Sequence, residues 1–302
     1  MKHLLTISQL SADELTDLLD HAVYLKARRT RGIPETRLAG KSLAMVFEKP
    51  SLRTRLSFEV AMTELGGRSL YIRGEEVGLG VREEVRDVAR VLARYVQGIM
   101  ARVFKHSSVA GLAEHAGVPV INGLCDQHHP CQILADLLTI REHLGTLKDL
   151  NVVFVGDGNN VARSLAQACV LTGSRFVLAR PAGYGFTAAD QAAFGSAWGS
   201  QVVEIDDPTR AVAGANVLYT DVWTSMGQES EKAARLKDFQ GYQINESLMA
   251  KAHPEARVMH CLPAHRDEEI TDFAMEHGRS IVFDQAENRL HAQKAVLSRL
   301  LG

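Results

Sequence analysis

Cysteine is scarce, with four residues in a chain of 302, at positions 125, 131, 169 and 261. No Cys-x-x-Cys pair occurs, and a chain of this size builds its cores without disulfide staples. A reduced, cytoplasmic protein with free thiols is the expectation. Long apolar runs are missing as well. The longest strictly apolar stretch is Leu43 to Phe47, far short of the roughly 20 residues a membrane-crossing helix needs. Near the start, Asp13, Glu14, Asp17 and Asp20 stand where a secretory signal would need its apolar segment. Nor is there an excess of charge, since 34 Lys plus Arg face 36 Asp plus Glu for a net charge of −2. That balance argues against general nucleic-acid binding and leaves room for a local basic site.

What the chain has is an ordinary globular composition, 46% hydrophobic and 23% charged, which excludes intrinsic disorder and collagen-like order. Its length fits two domains. Short β-branched runs alternate with helical patterns. Strands are predicted at 42–47, 68–72, 98–103 and 118–122, with helices at 51–65, 84–96 and 107–116. A long helix is predicted over 130–144. Strands then resume at 151–155, 175–179, 201–205, 216–220, 257–261 and 280–283, before an amphipathic helix at 287–301. Such alternation is the signature of βαβ units around parallel sheets. The expectation is therefore an α/β fold of two domains, 1–144 and 145–286, with the last helix packing back on the first. In such sheets ligands bind beyond the carboxyl ends of the strands.

Four motifs fall at those ends. In Phe47-Glu-Lys-Pro-Ser-Leu-Arg-Thr-Arg55, Ser51 is a natural N-cap. Free N–H groups at 52–54 and the positive end of the helix dipole then favour a phosphate-sized anion, with Arg53, Ser51 and Thr54 adding donors. Arg53 and Arg55 point apart on a helix, so one serves as ligand and the other as a surface residue. The alternative is an ordinary capped helix with solvated arginines. In Cys125-Asp-Gln-His-His-Pro-Cys-Gln132 the residue types invite zinc, but the spacing is poor for it. Pro130 at the first helical position places His129 at the cap, where a neutral imidazole can donate to a carbonyl oxygen and Gln132 can orient an amide. Val155-Gly-Asp-Gly-Asn-Asn160 partly matches a dinucleotide fingerprint, yet Val161 holds the third glycine position and Ala179-Arg180 the acidic one, leaving only an NADP variant. A glycine turn that presents Asn159 or Asn160 is the other reading. The fourth is a pair, Asp221-Val-Trp-Thr-Ser-Met-Gly227 and His260-Cys-Leu-Pro263. There Asp221 and Ser225 suit an ammonium group, and Cys261 is either a nucleophile or a small buried hydrophobe.

Taken in order, Ser-Leu-Arg-Thr-Arg, His-Pro-Cys-Gln, Gly-Asp-Gly-Asn-Asn, Asp-Val-Trp-Thr-Ser-Met-Gly and His-Cys-Leu-Pro closely resemble the ornithine carbamoyltransferase family, from Leu4 to Glu287-Asn-Arg289. The resemblance implies a carbamoyl-phosphate domain and an ornithine domain joined by two helices. It implies that Ser51, Leu52, Arg53 and Thr54 bind carbamoyl phosphate, with Leu52 replacing a common threonine. Arg102 is shared between phosphate and carbonyl oxygen, His129 and Gln132 meet the carbonyl and amide, Cys261 and Leu262 line the reacting centre, and Arg289 reaches back from the last helix. Arg102, His129 and Cys261 are the implied catalytic residues. Asn160 and the Met226 backbone match the α-carboxylate site, Asp221 and Ser225 the α-ammonium site, and Leu262–Pro263 a cis bond. No metal or cofactor is implied. The implied reaction carbamoylates the δ-amine of L-ornithine to L-citrulline, within arginine metabolism, in a cytoplasmic homotrimer or multiple of trimers that engages neither nucleic acid nor membrane. One departure stands out: the family often supplies a glutamine or histidine from a neighbouring subunit where this chain has Gly78, so that contact is lost or taken by a residue such as Arg82. The competing expectations are a sister transcarbamoylase acting on N-acetylornithine, putrescine or aspartate, an NADP-binding reductase, and a non-catalytic homologue.

Overall fold

The computed structural model describes residues 1–225 and 227–302. They form two compact units, unit 1 of Met1–Leu138 with Glu287–Gly302 and unit 2 of Thr139–Ala286. The chain passes between the units inside helices Pro130–Leu144 and Val282–Leu301. Both units are α/β, each built on a parallel sheet.

In unit 1, β1 (Ser42–Phe47), β2 (Arg68–Arg73), β3 (Gly98–Arg102) and β4 (Val120–Leu124) lie in the order β2-β1-β3-β4. β3 is buried residue after residue and β1 from Leu43 on, as strands covered on both faces are. After β1 the chain builds outward to β2 and then returns to β1's other side for β3. That reversal opens a crevice at the carboxyl ends of β1 and β3. The residues placed there are those that follow Phe47 and Arg102. Unit 2 repeats the logic with β5 (Asn151–Val155), β6 (Arg175–Ala179), β7 (Val202–Ile205), β8 (Val217–Thr220) and β9 (Arg257–His260), in the order β7-β6-β5-β8-β9. Its reversal falls between β5 and β8, so the segments after Val155, Thr220 and the neighbouring His260 share one edge. Each unit has its own core, centred on Ala44, Val46, Ile99 and Val120 in unit 1 and on Val153, Val177, Leu218 and Val258 in unit 2.

Two expectations need correction. The strand expected at 280–283 is a single bridge, Val258 to Ser280, and the last helix starts at Val282 rather than 287. Val282, Gln285, Asn288 and Arg289 are buried while Phe283 is exposed, a helical spacing that overrides the β-branched run. The polar opening contains a 19-residue helix, Ala12–Thr30, that was not anticipated. Ser11 and Glu14 close a capping box at its start, and Leu15, Leu18, Leu19, Ala22 and Leu25 form its buried stripe. Other predicted boundaries that correspond to elements shift by one or two residues.

Candidate active site

In unit 1 the segment after β1 is pinned to the end of β3, where Glu48 Oε2 accepts from the Phe104 N–H at 2.7 Å. Pro50 ends the extended run, and Ser51 caps helix Leu52–Glu64. Ser51 Oγ accepts from the Thr54 N–H at 3.3 Å and donates to Thr54 Oγ1 at 3.1 Å. The open amides are therefore those of residues 52 and 53; the expected third, at Thr54, is taken by the cap. The two arginines diverge as their spacing requires. Arg55 pairs with Glu59 at 2.9 Å and lies over the Tyr71 ring, whereas no carboxylate among the described residues pairs with the half-buried Arg53.

Arg102 is buried at the carboxyl end of β3. His129 precedes Pro130, and its carbonyl accepts from the N–H groups of Gln132 and Ile133, so it occupies the cap as its position before proline implies. Burial, then the charges of Arg289 and Arg102, hold its imidazole well below the ordinary histidine range. The ring is therefore neutral and able to donate. Two guanidiniums beside it also oppose a cation. The neighbouring Cys131 thiol is pushed up to about 12 by burial and donates to the Asn122 carbonyl. This is an anion-directed arrangement, unlike a zinc site. Arg289, buried on the last helix, donates through Nη1 to Gln132 Oε1 at 2.6 Å and through Nη2 to Thr54 Oγ1 at 3.2 Å. Gln132 in turn donates to Asp136 at 2.8 Å. Ser51, Thr54, Arg289 and Gln132 thus form one hydrogen-bonded chain. Lys49, not singled out in the sequence, belongs near this group. Burial and the charge of Arg102 lower its pKa, and its Nζ stands over the Phe104 ring.

In unit 2, Asn159 caps helix Asn160–Thr172 by accepting from the N–H groups of Val161 and Ala162. Its Nδ2 donates to Asp221 Oδ2 at 3.0 Å. Asp221 Oδ1 accepts from the Val222 N–H at 2.8 Å and from the Cys261 thiol at 3.0 Å. Asn159, Asp221 and Cys261 are thereby drawn together from the ends of β5, β8 and β9. Asn160 is the first residue of its helix and half-buried. The Ser225 N–H donates to Gln228 Oε1. Met226 lies outside the described residues. Leu262 has φ of +59°, and the Leu262–Pro263 bond is cis. Arg235 is a contributor that sequence reading missed, because it sits in a charged helical stretch with no motif around it. It donates to Asp157 Oδ2 at 2.7 Å, the Trp223 carbonyl at 2.9 Å and Glu231 Oε2 at 2.8 Å, tying the segment after β5 to the one after β8.

The dinucleotide alternative finds no room in this turn. A Cβ on Gly158 would meet the Gly185 carbonyl carbon at 2.9 Å, so backbone already fills the approach a pyrophosphate would use. Asn159 covers the first helix amides, and Arg180 forks onto Glu204 at 2.7 and 3.0 Å instead of awaiting a phosphate. Two clusters hold donor atoms within 4.8 Å of one another, Asp221–His260–Cys261 and His265–Glu268–Glu269. Both ring nitrogens of His260 are committed, to Leu262 N–H and to Glu269, and Glu268 pairs with Lys232. These are hydrogen-bond and ion-pair groupings. Gly78 adopts φ of +60°, and a Cβ there would meet Arg82 Cβ at 2.7 Å. This turn disfavours any side chain at position 78.

Comparison with known proteins decides the family. Residues 2–142 match the carbamoyl-P binding domain of aspartate/ornithine carbamoyltransferase, and residues 148–300 match its Asp/Orn binding domain. The chain belongs to the aspartate/ornithine carbamoyltransferase family. Ornithine carbamoyltransferase of Archaeoglobus fulgidus is 53% identical over 302 residues, covering 100% of this chain and 98% of the relative. That of Thermus thermophilus is 52% identical, covering 99% and 97%. The solved ornithine carbamoyltransferase of Pyrococcus furiosus superimposes with a TM-score of 0.95 at 49% identity, covering 100% of this chain and 97% of that one. The family's second segment runs through the last helix, yet residues 287–302 pack with unit 1. Sequence contiguity and spatial packing divide the chain differently there, and Arg289 gains its unit 1 contacts from the packing.

The neutral state of His129 has a thermodynamic consequence. The folded imidazole stays uncharged well below its ordinary range, whereas the unfolded one protonates near pH ~6.5. Below that pH the unfolded chain binds more protons, so stability falls as pH falls. Denaturant melts at about pH 7 and about pH 5 should show a larger loss for wild type than for His129→Gln. Equal losses would mean that His129 is protonated in the folded protein.

Proposed function

We infer that this protein transfers the carbamoyl group of carbamoyl phosphate to the δ-amine of L-ornithine, giving L-citrulline and phosphate. The observation that carries the reading is the neutral, buried His129 between Arg102 and Arg289, with the hydroxyls of Ser51 and Thr54 in the same unit. A phosphate dianion attached to a carbonyl calls for this combination of fixed cations, hydroxyl donors and an uncharged donor. The phosphate takes the open amides of residues 52 and 53, Arg53, Arg102 and Arg289. The carbonyl oxygen takes Arg102, His129 and Thr54, and the carbamoyl amide takes Gln132 with Leu262 and Cys261. Asn160, Ser225 and Met226 hold the amino-acid end of ornithine with Asp221.

The attacking amine must be uncharged, although its free pKa is about 10. Fixed guanidiniums around the carbamoyl group disfavour a second cation there, so the amine loses its proton before attack. Attack builds negative charge on the carbonyl oxygen, and donors aimed at it contribute about 3 kcal/mol each. Collapse of the tetrahedral centre breaks the carbon–oxygen bond to phosphate, which takes up the proton shed by the attacking nitrogen. The phosphate leaves toward Arg53 and the start of helix Leu52–Glu64, where the helix dipole favours it. The Cys261 thiol donates to Asp221, an arrangement suited to orienting the incoming amine. No covalent enzyme intermediate is needed, since positioning and electrostatics suffice.

We also assign the active form to a cytoplasmic homotrimer. Leu52, Leu56 and Val60 lie four residues apart on helix Leu52–Glu64 and are 69%, 48% and 36% exposed. An apolar stripe of this kind favours coverage by another copy of the chain. Light scattering should give three times the chain mass of 33.1 kDa; a monomer mass at working concentration would remove the assignment. No helix among the described residues is long and apolar enough to cross a membrane.

The decisive assay measures carbamoylated product and phosphate with ornithine, N-acetylornithine, putrescine and aspartate offered separately. Citrulline from ornithine alone is the expected result; preference for another amine would reassign the residues around Asp221. Arg102→Ala should lower turnover by ~100-fold or more, the cost of losing one donor to the developing oxyanion. Near-normal turnover would remove Arg102 from the chemistry.

A further inference from the structure

Leu262 is one of the few non-glycine residues in the left-handed region, with φ of +59°, a conformation that crowds a side chain against its own backbone. The groups that hold it there are buried and polar. Its N–H donates to His260 Nδ1 at 2.9 Å. A neutral imidazole that accepts at Nδ1 carries its proton on Nε2, and that nitrogen lies 3.0 Å from Glu269 Oε1. The same carboxylate oxygen accepts from the His265 N–H. The His260 N–H donates to Gln285 Oε1 at 2.9 Å, and Gln285 Nε2 donates to the Tyr219 hydroxyl at 3.0 Å. The side chains of His260 and Glu269 are wholly excluded from solvent.

A buried carboxylate beside a buried imidazole is a poor way to gain stability, because desolvation offsets most of the attraction and an apolar pair of the same volume serves as well or better. The arrangement does fix one thing closely. Leu262 is held by His260 on one side of Cys261, while the Cys261 thiol meets Asp221. We propose that Glu269 and His260 are positioning residues for carbamoyl transfer. Glu269 fixes the tautomer and orientation of His260, His260 fixes the Leu262 backbone, and the pair sets Cys261 against Asp221. Neither residue touches a reacting atom. The proposal rests on the assignment of Cys261 and Leu262 to the reacting centre.

The test compares Glu269→Leu, Glu269→Gln and His260→Asn in the full-length protein. Glutamine keeps an oxygen for His260 and for the His265 N–H, whereas leucine removes both. Asparagine keeps an acceptor for the Leu262 N–H but cannot reach Glu269. Three readouts separate positioning from folding: kcat and KM for ornithine, the affinity for carbamoyl phosphate, and the alkylation rate of Cys261 by iodoacetamide. Cys125, Cys131 and Cys169 are buried, so alkylation of the folded protein reports the half-buried Cys261.

Glu269→Leu should lower kcat by ~100-fold, the scale of an ångström-sized misplacement of a reacting geometry. Carbamoyl phosphate affinity should stay within about twofold, the Cys261 alkylation rate should change by about tenfold or more, and glutamine should restore most of the turnover. Turnover within about threefold of wild type in Glu269→Leu would overturn the proposal. So would lost turnover with an unchanged alkylation rate. Should the leucine variant fail to fold, His260→Asn decides by the same criteria. A wild-type protein that makes no citrulline would instead refute the proposed reaction, and the alkylation rates would still decide whether Glu269 sets the position of Cys261.

Discussion

The Arg289 guanidinium is the interaction on which the carbamoyl-phosphate half of the site depends. It is buried on the last helix of the chain, yet its two hydrogen bonds reach Gln132 and Thr54, which belong to helices widely separated in sequence. Both of these acceptors are neutral oxygens. A charge held in this way lowers the pKa of His129 and favours an anion, and it does so before substrate arrives. Arg289 reaches Thr54 and Gln132 because residues 287–302 of the last helix pack with unit 1.

Sheet topology decides where such charges gather. The order β2-β1-β3-β4 puts the end of β1 beside the end of β3, and the order β7-β6-β5-β8-β9 does the same for β5 and β8. In each unit, neighbouring strands leave the sheet in the same direction, so the segments after them meet without long insertions. Phe47 to Thr54 and Arg102 are neighbours for that reason, as are Asn159, Asp221 and Cys261. The two halves differ in chemistry. One presents cations and hydroxyls, and the other a carboxylate tied to an amide and a thiol. An anionic acyl donor and a cationic amino acid call for these opposite environments.

Much of this was legible in the sequence because strand ends are marked by punctuation. Pro50, the glycines at 156 and 158, and Pro263 follow strand ends, while Pro130 opens a helix, and the candidate residues cluster around them. What sequence hid was partnership. The Ser51 cap consumes the Thr54 amide, which a motif cannot reveal. Arg235 lies in an unremarkable stretch and Lys49 inside the first motif without a role of its own there, and both gain their places only from folding. The β-branched run at 280–283 was read as a strand, although burial at Val282, Gln285, Asn288 and Arg289 follows helical spacing. Short apolar runs fit either period, and the residues beyond them decide.

The environments of the four cysteines argue against covalent catalysis. Burial raises the thiols of Cys125, Cys131 and Cys169, to about 12 in Cys131, and a thiol that holds its proton is a weak nucleophile. Cys261 is more accessible, and its thiol donates to Asp221. A nucleophilic cysteine is activated by an imidazole or a cation beside the sulfur, and the group shown beside Cys261 is a carboxylate. In unit 1 the charges of Arg289 and Arg102 act on His129. Direct attack by the amine is the proposed course. In the proposed reaction the guanidiniums stabilise the oxyanion and the departing phosphate, and the thiol orients the incoming nitrogen.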